Sequence, residues 1–245
     1  MSGYRTDLKP VWCSGCGYYG VLKALTGALE DLAVPKESVG LFSGIGCAAR
    51  IAGYMDVYGF NLLHGRAVPT AIGAKLAKPE LTVLAIGGDG DIFSIGGGHL
   101  SHAVRENRDI TVVCLDNFVY GLTKGQSSPT TPQGSRQVAP IDPVFSMIAY
   151  STGMRRSFIA QGISSDHRHL KDLLVRAIRH RGFSFVNVLS SCVTYRKAEF
   201  DGLKGRCLYL DGSHDPGDYE AALRLAETPT DSTPHLGVFF EGSGR

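Results

Sequence analysis

Apolar residues recur at helical spacing in three segments of the chain. One face of residues 20–32 is apolar, and residues 67–76 predict a second helix that ends before Pro79. An apolar stripe over residues 170–178 predicts a third helix, which Gly182 ends. Each of these helices has one face to bury against another layer.

Short continuous apolar runs alternate with the helices, as expected for strands that are buried on both faces. Strands are predicted at residues 81–86, 110–115 and 183–189, and a helix over residues 95–105 joins the first two. This alternation predicts an α/β fold with three layers, in which a mostly parallel sheet has helices on both faces.

Composition narrows the functional classes. The chain has 245 residues, 43% hydrophobic and 20% charged, which is enough for one large α/β core. Its formal net charge of +2 gives no electrostatic reason to expect nucleic acid binding. No stretch approaches the roughly 18 apolar residues that span a bilayer, and the first residues lack the apolar run of a secretory signal. We therefore expect a cytoplasmic protein with reduced thiols that binds neither nucleic acid nor membrane.

Four of the six cysteines are spaced like the ligands of a metal centre. Cys13 and Cys16 form a local pair, and Cys47 and Cys192 follow at long range. A local pair with two distant partners is how a chain gathers four thiolates around a metal. The spacing allows an iron–sulfur cluster, a structural zinc ion, or scattered buried or redox thiols. Cys207 is an alternative to Cys192 as the fourth ligand.

A glycine-rich turn at residues 87–90 follows the first predicted strand and precedes a helix. Such a turn lets backbone N–H groups approach a phosphate, and the helix N-terminus adds partial positive charge. A dinucleotide-binding motif is disfavoured, because Phe93 stands where its third glycine is needed.

Asp89 and Asn117 follow two predicted strands that are joined by one helical crossover. In a parallel sheet such positions are neighbours at the same edge. Carboxylate, amide and phosphate oxygens together suit Mg²⁺. An aspartate at a strand end can also be a helix cap or a turn residue, but the spacing of these two residues favours the magnesium site.

A longer set of motifs carries a resemblance to a known family. Gly88-Asp89-Gly90, followed after twenty-five residues by Asp116-Asn117, resembles the thiamine diphosphate signature. Over residues 10–195 the chain resembles the β subunit of 2-oxoacid:ferredoxin oxidoreductases. The further segments that carry the resemblance are Trp12-Cys-Ser-Gly-Cys-Gly17, Ser43-Gly-Ile-Gly-Cys47, Leu63-His-Gly-Arg66, Phe93-Ser-Ile-Gly-Gly-Gly-His-Leu-Ser-His-Ala-Val104 and Tyr120-Gly-Leu-Thr-Lys-Gly-Gln126.

The resemblance implies a thiamine diphosphate-binding fold and assigns cofactor ligands. Asp89, Asn117 and the backbone carbonyl of Val119 would hold Mg²⁺. The residues implied at the rest of the cofactor are Ile45, Gly46, Cys47, Ala48, His64, Gly90, Asp91, Gly121 and Leu122. The four thiols implied as ligands of one [4Fe-4S] cluster are those of Cys13, Cys16, Cys47 and Cys192.

The implied activity is the coenzyme A-dependent oxidative decarboxylation of a 2-oxoacid, with 2-oxoglutarate favoured over pyruvate and electrons passing through the cluster to ferredoxin. The thiazolium ring supplies an electron sink that amino acids lack. The family also implies an α subunit that carries the pyrimidine-binding domain, in an αβ or α2β2 assembly. Arg50, Leu122 and Lys124 are candidates for the substrate pocket. A guanidinium such as that of Arg50 matches a substrate carboxylate, and Leu122 and Lys124 lie on the loop after the predicted metal ligands.

Two other functional classes remain open on the residues alone. One is a subunit of a non-oxidative thiamine-dependent decarboxylase or carboligase, and the other is a metal-stabilised electron-transfer subunit without catalysis. We expect residues 1–200 to form the cofactor-binding domain with the iron–sulfur site, and residues 201–245 a short extension with a flexible end. The aperiodic stretch over residues 121–143 is expected to enclose the thiazolium end of the cofactor or to meet a partner chain.

Overall fold

The computed structural model describes residues 3–132, 139–151, 155–228 and 232–243, and within these ranges helices and strands alternate. The helices are α1 (Tyr18–Asp31), α2 (Ile51–Tyr54), α3 (Ala67–Ala77), α4 (Gly97–Glu106), α5 (Pro143–Tyr150), α6 (His167–Arg179), α7 (Lys197–Lys204) and α8 (Tyr219–Ala226). The strands are β1 (Val39–Ser43), β2 (Tyr58–Asn61), β3 (Thr82–Gly88), β4 (Thr111–Asp116), β5 (Phe158–Ile163), β6 (Ser184–Leu189), β7 (Leu208–Tyr209) and β8 (His235–Glu241).

The strands of the described residues form one eight-stranded sheet in the order β2-β1-β3-β4-β6-β5-β8-β7. The neighbouring strands β2, β1, β3, β4, β6 and β5 pair in parallel, whereas β8 runs antiparallel to β5. The central strands β1, β3, β4, β5 and β6 are almost entirely buried, because helices cover both faces. The predicted mostly parallel, three-layer α/β fold is confirmed.

The sheet separates two apolar cores. On one face α1 and α6 pack against the strands and each other, and Leu25 and Leu174 are fully buried there. On the other face α3, α4, α5 and α8 form the second core, which includes Leu100 and Ile148. Full burial of each such side chain contributes roughly 1.5–3 kcal/mol to stability. The apolar stripes along the helices therefore account for the layer order.

The predicted and observed elements differ at the start of one helix and in the number of strands. The helix predicted from residue 95 begins at Gly97, because Asp91–Ile95 form a π-helical turn that follows β3. Strands β1, β2, β5, β7 and β8 were not predicted. Strands β7 and β8 come from the segment expected to be a short extension: β8 pairs with β5, and β7 pairs with β8 at the edge of the sheet. The last two residues of that segment lie outside the described ranges.

Register brings three loops together at one edge of the sheet. Ser43 pairs with Ile86, and Gly88 pairs with Leu115, so β1, β3 and β4 end side by side. The chain then continues into residues 44–47, 89–91 and 117–121, which is the usual position for ligands in a parallel sheet. Among the described helices, none has the length and apolar character needed to cross a membrane.

Candidate functional site

A cavity of about 420 Å³ opens at the edge where β1, β3 and β4 end. Every residue predicted to contact the cofactor or Mg²⁺ lines it. These residues are Ile45, Gly46, Cys47, Ala48, His64, Asp89, Gly90, Asp91, Asn117, Val119, Gly121 and Leu122. Sequence reasoning missed four further lining residues, Tyr18, Gly88, Tyr120 and Thr123. We refer to this space as the cofactor cavity.

Asp89 and Asn117 lie at adjacent strand ends, as the topology predicted, and both are buried. The Oδ1 atom of Asn117 accepts a hydrogen bond from the backbone N–H of Val119 at 3.2 Å, which orders the turn that carries the predicted carbonyl ligand. Burial raises the pKa of Asp89, and hydrogen bonds from Ser128, Thr130 and backbone N–H groups oppose that rise. A buried carboxylate, an amide and a carbonyl on one cavity wall form an all-oxygen donor set, which fits Mg²⁺.

A second buried carboxyl group lies directly behind Asp89. Asp116 is fully buried, and burial together with the nearby charge of Asp89 raises its pKa well above its usual value. The hydroxyl of Thr130 lies between the two carboxyl groups, and Asn187 Nδ2 lies 3.4 Å from Asp116 Oδ2. Sequence reasoning missed the role of Thr130, because the segment around it has no periodicity.

Thr131 fixes the backbone of the predicted metal loop. Its hydroxyl donates a hydrogen bond to the carbonyl oxygen of Phe118 at 2.7 Å. The same hydroxyl accepts a hydrogen bond from the backbone N–H of Ser128 at 2.7 Å. Phe118 has a φ of +58°, which is costly for a bulky residue and is held by surrounding contacts. Residues of the stretch over 121–143 therefore hydrogen-bond to the loop that follows β4 and hold its backbone in place. Residues 133–138 of that stretch lie outside the described ranges.

Asp91 joins the loops around the cofactor cavity. Its Oδ1 atom lies 2.6 Å from Nδ1 of His64, and it also accepts hydrogen bonds from the backbone N–H groups of Gly65 and Ile45. Its Oδ2 atom is so close to Gly44 that a Cβ there would lie 1.8 Å away, which explains why glycine is needed at that position. Three loops are thus tied to one carboxylate. The predicted contact of Asp91 with the diphosphate stays a prediction.

The four cysteines of the predicted cluster lie around a second cavity, of about 240 Å³. We call it the cysteine cavity. The backbone N–H of Cys16 donates to the carbonyl of Cys13 at 3.0 Å, and Trp12 Nε1 donates to the carbonyl of Cys47 at 2.8 Å. Gly17 N–H donates to the carbonyl of Ser191, next to Cys192. Backbone contacts therefore bring the local pair and its two distant partners together.

The electrostatic coupling of the thiols reflects their proximity. Burial raises the pKa of Cys16 to about 11, and the neighbouring thiols Cys192, Cys47 and Cys13 add to the rise. Burial and Cys192 likewise raise the pKa of Cys47. Within the described part of the chain, no three His, Cys, Asp or Glu side chains are arranged to hold a single metal ion. Four thiols around a cavity of this size form a donor set that suits a polynuclear cluster.

The other two cysteines lie elsewhere. Cys207 contacts the small apolar cluster around Phe118 and Phe200, and its Sγ donates to the carbonyl of Leu203 at 3.3 Å. Cys114 is fully buried within β4. Of the two candidates for the fourth ligand, Cys192 therefore lines the cysteine cavity and Cys207 does not.

The cofactor cavity and the cysteine cavity share a wall. Tyr18, Cys47, Asn117, Gly121 and Leu122 line both. A Cβ atom at Gly121 would lie 3.8 Å from Sγ of Cys192 and 4.0 Å from Sγ of Cys47. The Cys47 side of this wall therefore borders the space predicted for thiamine diphosphate directly, and the Gly121 backbone lies close to the Cys47 and Cys192 thiols.

The three substrate-pocket candidates are not equivalent. Arg50 is exposed and lines the cysteine cavity, whereas Leu122 lies on the shared wall with 49% of its surface exposed. Lys124 is not among the residues that line either cavity. It has a φ of +77° in the turn that links Tyr120 to Gln126. The structure therefore brings two of the three to the site.

Two protein-family models match the chain. The C-terminal TPP binding domain of thiamine pyrophosphate enzymes matches residues 44–188, and the C-terminal region of the pyruvate ferredoxin oxidoreductase β subunit matches residues 192–245. These matches include strand β8 and every residue that lines the cofactor cavity except Tyr18, but not residues 11–18, which line part of the cysteine cavity.

Curated relatives and a solved structure are similar over most of this chain. Subunit β of 2-oxoacid:ferredoxin oxidoreductase 2 from Aeropyrum pernix is 42% identical over 244 residues, which cover 96% of this chain and 77% of the relative. The 2-oxoglutarate oxidoreductase subunit KorB from Mycobacterium tuberculosis is 38% identical over 205 residues, which cover 82% of this chain and 55% of the relative. This chain thus spans about half the length of the second relative.

A solved 2-oxoglutarate:ferredoxin oxidoreductase from Magnetococcus marinus, described with 2-oxoglutarate, coenzyme A and succinyl-CoA bound, has a TM-score of 0.92 at 35% identity. The match covers 99% of this chain and 84% of that chain. The resemblance predicted from the motifs is confirmed. The chain belongs to the β subunits of the 2-oxoacid:ferredoxin oxidoreductases, a family of thiamine diphosphate-dependent enzymes in which a β subunit has an α partner.

Proposed function

We propose that this chain is the catalytic subunit for the oxidation of a 2-oxoacid. In the overall reaction, a 2-oxoacid anion, coenzyme A and two oxidised ferredoxins yield an acyl-coenzyme A, CO₂, a proton and two singly reduced ferredoxins. The observation that carries the proposal is the shared wall between the cofactor cavity and the cysteine cavity at Cys47 and Gly121. A non-oxidative decarboxylase has no use for four thiols beside its cofactor.

Asp89, Asn117 and the carbonyl of Val119 would hold Mg²⁺ with thiamine diphosphate in the cofactor cavity. The all-oxygen donor set supports this assignment. When bound, thiamine diphosphate supplies the electron sink for loss of CO₂. The chain fixes the orientation of the metal ligands through the hydrogen bond between Asp89 and Thr130 and that between Asn117 and Val119.

Cys13, Cys16, Cys47 and Cys192 would hold a [4Fe-4S] cluster, which accepts electrons one at a time. Thiolates, not thiols, bind iron. Burial raises the pKa of Cys16 to about 11, so this thiol would have to lose its proton to serve as an iron ligand. Burial raises the pKa of the Cys47 thiol as well.

Two observations support 2-oxoglutarate as the preferred substrate over pyruvate. Several relatives are named as 2-oxoglutarate oxidoreductase or synthase subunits, and the similar solved structure is described with 2-oxoglutarate bound. Arg50 would pair with a substrate carboxylate, since its exposed guanidinium lies at the cysteine cavity beside the shared wall. Leu122 would pack against the substrate from that wall.

An α subunit would complete the site. Ile45 and Leu122 stand at the cofactor cavity with 48% and 49% of their surfaces in water, which is unfavourable for large apolar side chains beside a reactive cofactor. A partner that supplies the pyrimidine-binding domain would cover them. Coenzyme A and ferredoxin would then bind to the assembled αβ enzyme.

The test is an anaerobic assay of the chain produced together with its α subunit. We expect reduction of methyl viologen that requires both coenzyme A and a 2-oxoacid, with 2-oxoglutarate faster than pyruvate. Asp89→Asn should lower the rate roughly 100-fold or more by removing the metal ligand. Asp172→Asn, on the exposed face of α6, is the matched control. Release of CO₂ without reduction of viologen would overturn the oxidative proposal.

A further inference from the structure

A third cavity, of about 760 Å³, lies between α1 and α6. It is outside the cofactor cavity and the cysteine cavity. Arg5, Lys23, Arg168 and Lys171 contribute four cationic side chains to its lining, and Glu30 contributes one carboxylate. We call it the basic groove.

Most of the positive charge in the basic groove is available to a partner. Lys171 forms an ion pair with Asp31, and the carboxylate of Glu30 accepts a hydrogen bond from the backbone N–H of Gly3. Among the described residues, Arg5, Lys23 and Arg168 are in no ion pair, and all three are exposed. The net charge of the whole chain is only +2, so this clustering is local. A concentrated field of one sign steers partners of opposite charge.

The basic groove and the cysteine cavity meet through two aromatic side chains. Tyr19 lines the basic groove, and its hydroxyl donates to the carbonyl of Trp12 at 3.2 Å. The two rings pack edge to face with their centroids 5.4 Å apart. Trp12 in turn lines the cysteine cavity and donates to the carbonyl of Cys47. The next residue, Cys13, is exposed. A protein seated in the basic groove would therefore lie beside the predicted cluster.

We propose that the basic groove is the docking surface for the acidic protein that carries electrons away from the cluster. The inference rests on the proposed function, which requires a one-electron acceptor to dock twice for each 2-oxoacid oxidised. Each docking event oxidises the cluster by one electron and reduces the carrier by one. Attraction between a cationic groove and an acidic carrier raises the rate of encounter without requiring tight binding, which suits a carrier that must leave after each transfer.

The test uses the αβ enzyme with the double variant Lys23→Glu and Arg168→Glu. The acceptor is an acidic ferredoxin with a single iron–sulfur cluster, which takes one electron at each docking event, and methyl viologen serves as a small cationic acceptor. We expect kcat/KM for ferredoxin to fall roughly tenfold or more, mainly through KM, while the viologen rate is unchanged. The fall of kcat/KM with rising ionic strength should be shallower in the variant than in the unaltered enzyme.

The matched control is Arg105→Glu with Arg224→Glu, which makes the same change in net charge on α4 and α8, on the opposite face of the sheet. Equal ferredoxin kinetics in both double variants would overturn the docking proposal and leave the proposed function intact. A loss of the viologen rate or of αβ assembly in the Lys23 and Arg168 variant would also overturn it, because the groove would then be an interface within the enzyme. Absence of 2-oxoacid-dependent viologen reduction in the unaltered enzyme would instead contradict the proposed function.

Discussion

Asp89 and Asp116 share one hydrogen-bond donor: the hydroxyl of Thr130 lies 2.6 Å from Oδ2 of Asp89 and 2.7 Å from Oδ1 of Asp116. A hydroxyl has one proton, so it donates to one of these carboxyl groups at a time. Both groups are buried, and burial raises the pKa of each. The side chain of Thr130 therefore sets the orientation of the predicted magnesium ligand.

Replacement of Thr130 tests this relationship. Thr130→Val removes the hydroxyl and leaves two buried carboxyl groups without their shared donor. We expect the affinity for Mg²⁺ with thiamine diphosphate to fall roughly tenfold to 100-fold, since a hydrogen bond to a charged group is worth about 1.5–3 kcal/mol. Calorimetric titration measures the change. Thr130→Ser, which keeps the hydroxyl, is the control, and equal affinities for Val and Ser would contradict the role given to Thr130.

Cys192 lines the cysteine cavity and Cys207 does not, so their replacement by serine should have different effects on the cluster. Cys192→Ser should lose most of its iron and sulfide, because a thiolate ligand is removed from the cysteine cavity. Cys207→Ser should retain both, since its thiol donates to Leu203 outside that cavity. Iron and sulfide analysis after anaerobic purification distinguishes the two. The reverse pattern would make Cys207 the fourth ligand.

Gly90 tests the shape of the cofactor cavity. A Cβ at this position would lie 2.2 Å from the ring of Tyr120, so Gly90→Ala must displace the loop between β3 and α4 or the turn after Asn117. We expect a destabilisation of about 1–3 kcal/mol and a loss of cofactor affinity. The control is Gly98→Ala in α4, where a Cβ meets nothing within 4 Å. The expected gain there is about 1 kcal/mol in the free energy of unfolding. Thermal unfolding with and without cofactor measures both, and a Gly90→Ala variant that binds cofactor normally would contradict this geometry.

Asp166 predicts a pH dependence of stability far from the site. Its carboxylate caps α6 by accepting from the N–H of His169 at 3.1 Å, and it accepts from the hydroxyl of Tyr209 at 2.9 Å. Partial burial opposes ionisation, but these hydrogen bonds lower the pKa of Asp166 below its usual value. A carboxyl group with a lowered folded-state pKa contributes stability above its unfolded pKa, and that contribution is lost as the pH falls through the folded-state pKa.

Asp166→Ala should therefore cost about 1 kcal/mol at neutral pH, and the difference from the unaltered chain should shrink below about pH 4. Urea unfolding across the pH range measures it. Tyr209→Phe, which removes one hydrogen bond and keeps the cap, should have a smaller effect with the same pH trend. A difference that stays constant down to about pH 2 would exclude this linkage.

The sequence predicted the parts of the fold and site that depend on periodicity and residue type. Apolar stripes such as Leu170 to Ala177 identified α6, and the positions of Asp89 and Asn117 after two apolar runs placed both at one sheet edge. The roles of Thr130 and Thr131 could not be predicted, because these residues belong to an aperiodic segment that only the tertiary fold brings against Asp89 and Phe118, after β3 and β4. The hydrogen bonds of Asp91 to His64 and Gly65 could not be predicted either, because only the tertiary fold brings these residues together.

The shared wall between the cofactor cavity and the cysteine cavity should let electrons pass from the decarboxylation site to the cluster. Electron paramagnetic resonance of the αβ enzyme tests this most directly. An anaerobic sample is frozen after addition of 2-oxoacid, with Cys192→Ser as the control. We predict about four irons and four sulfides per chain and a reduced-cluster signal that appears only with 2-oxoacid. An intact cluster that 2-oxoacid leaves oxidised, or zinc in place of iron, would contradict the claim that Cys47 and Gly121 connect the decarboxylation site to the thiols.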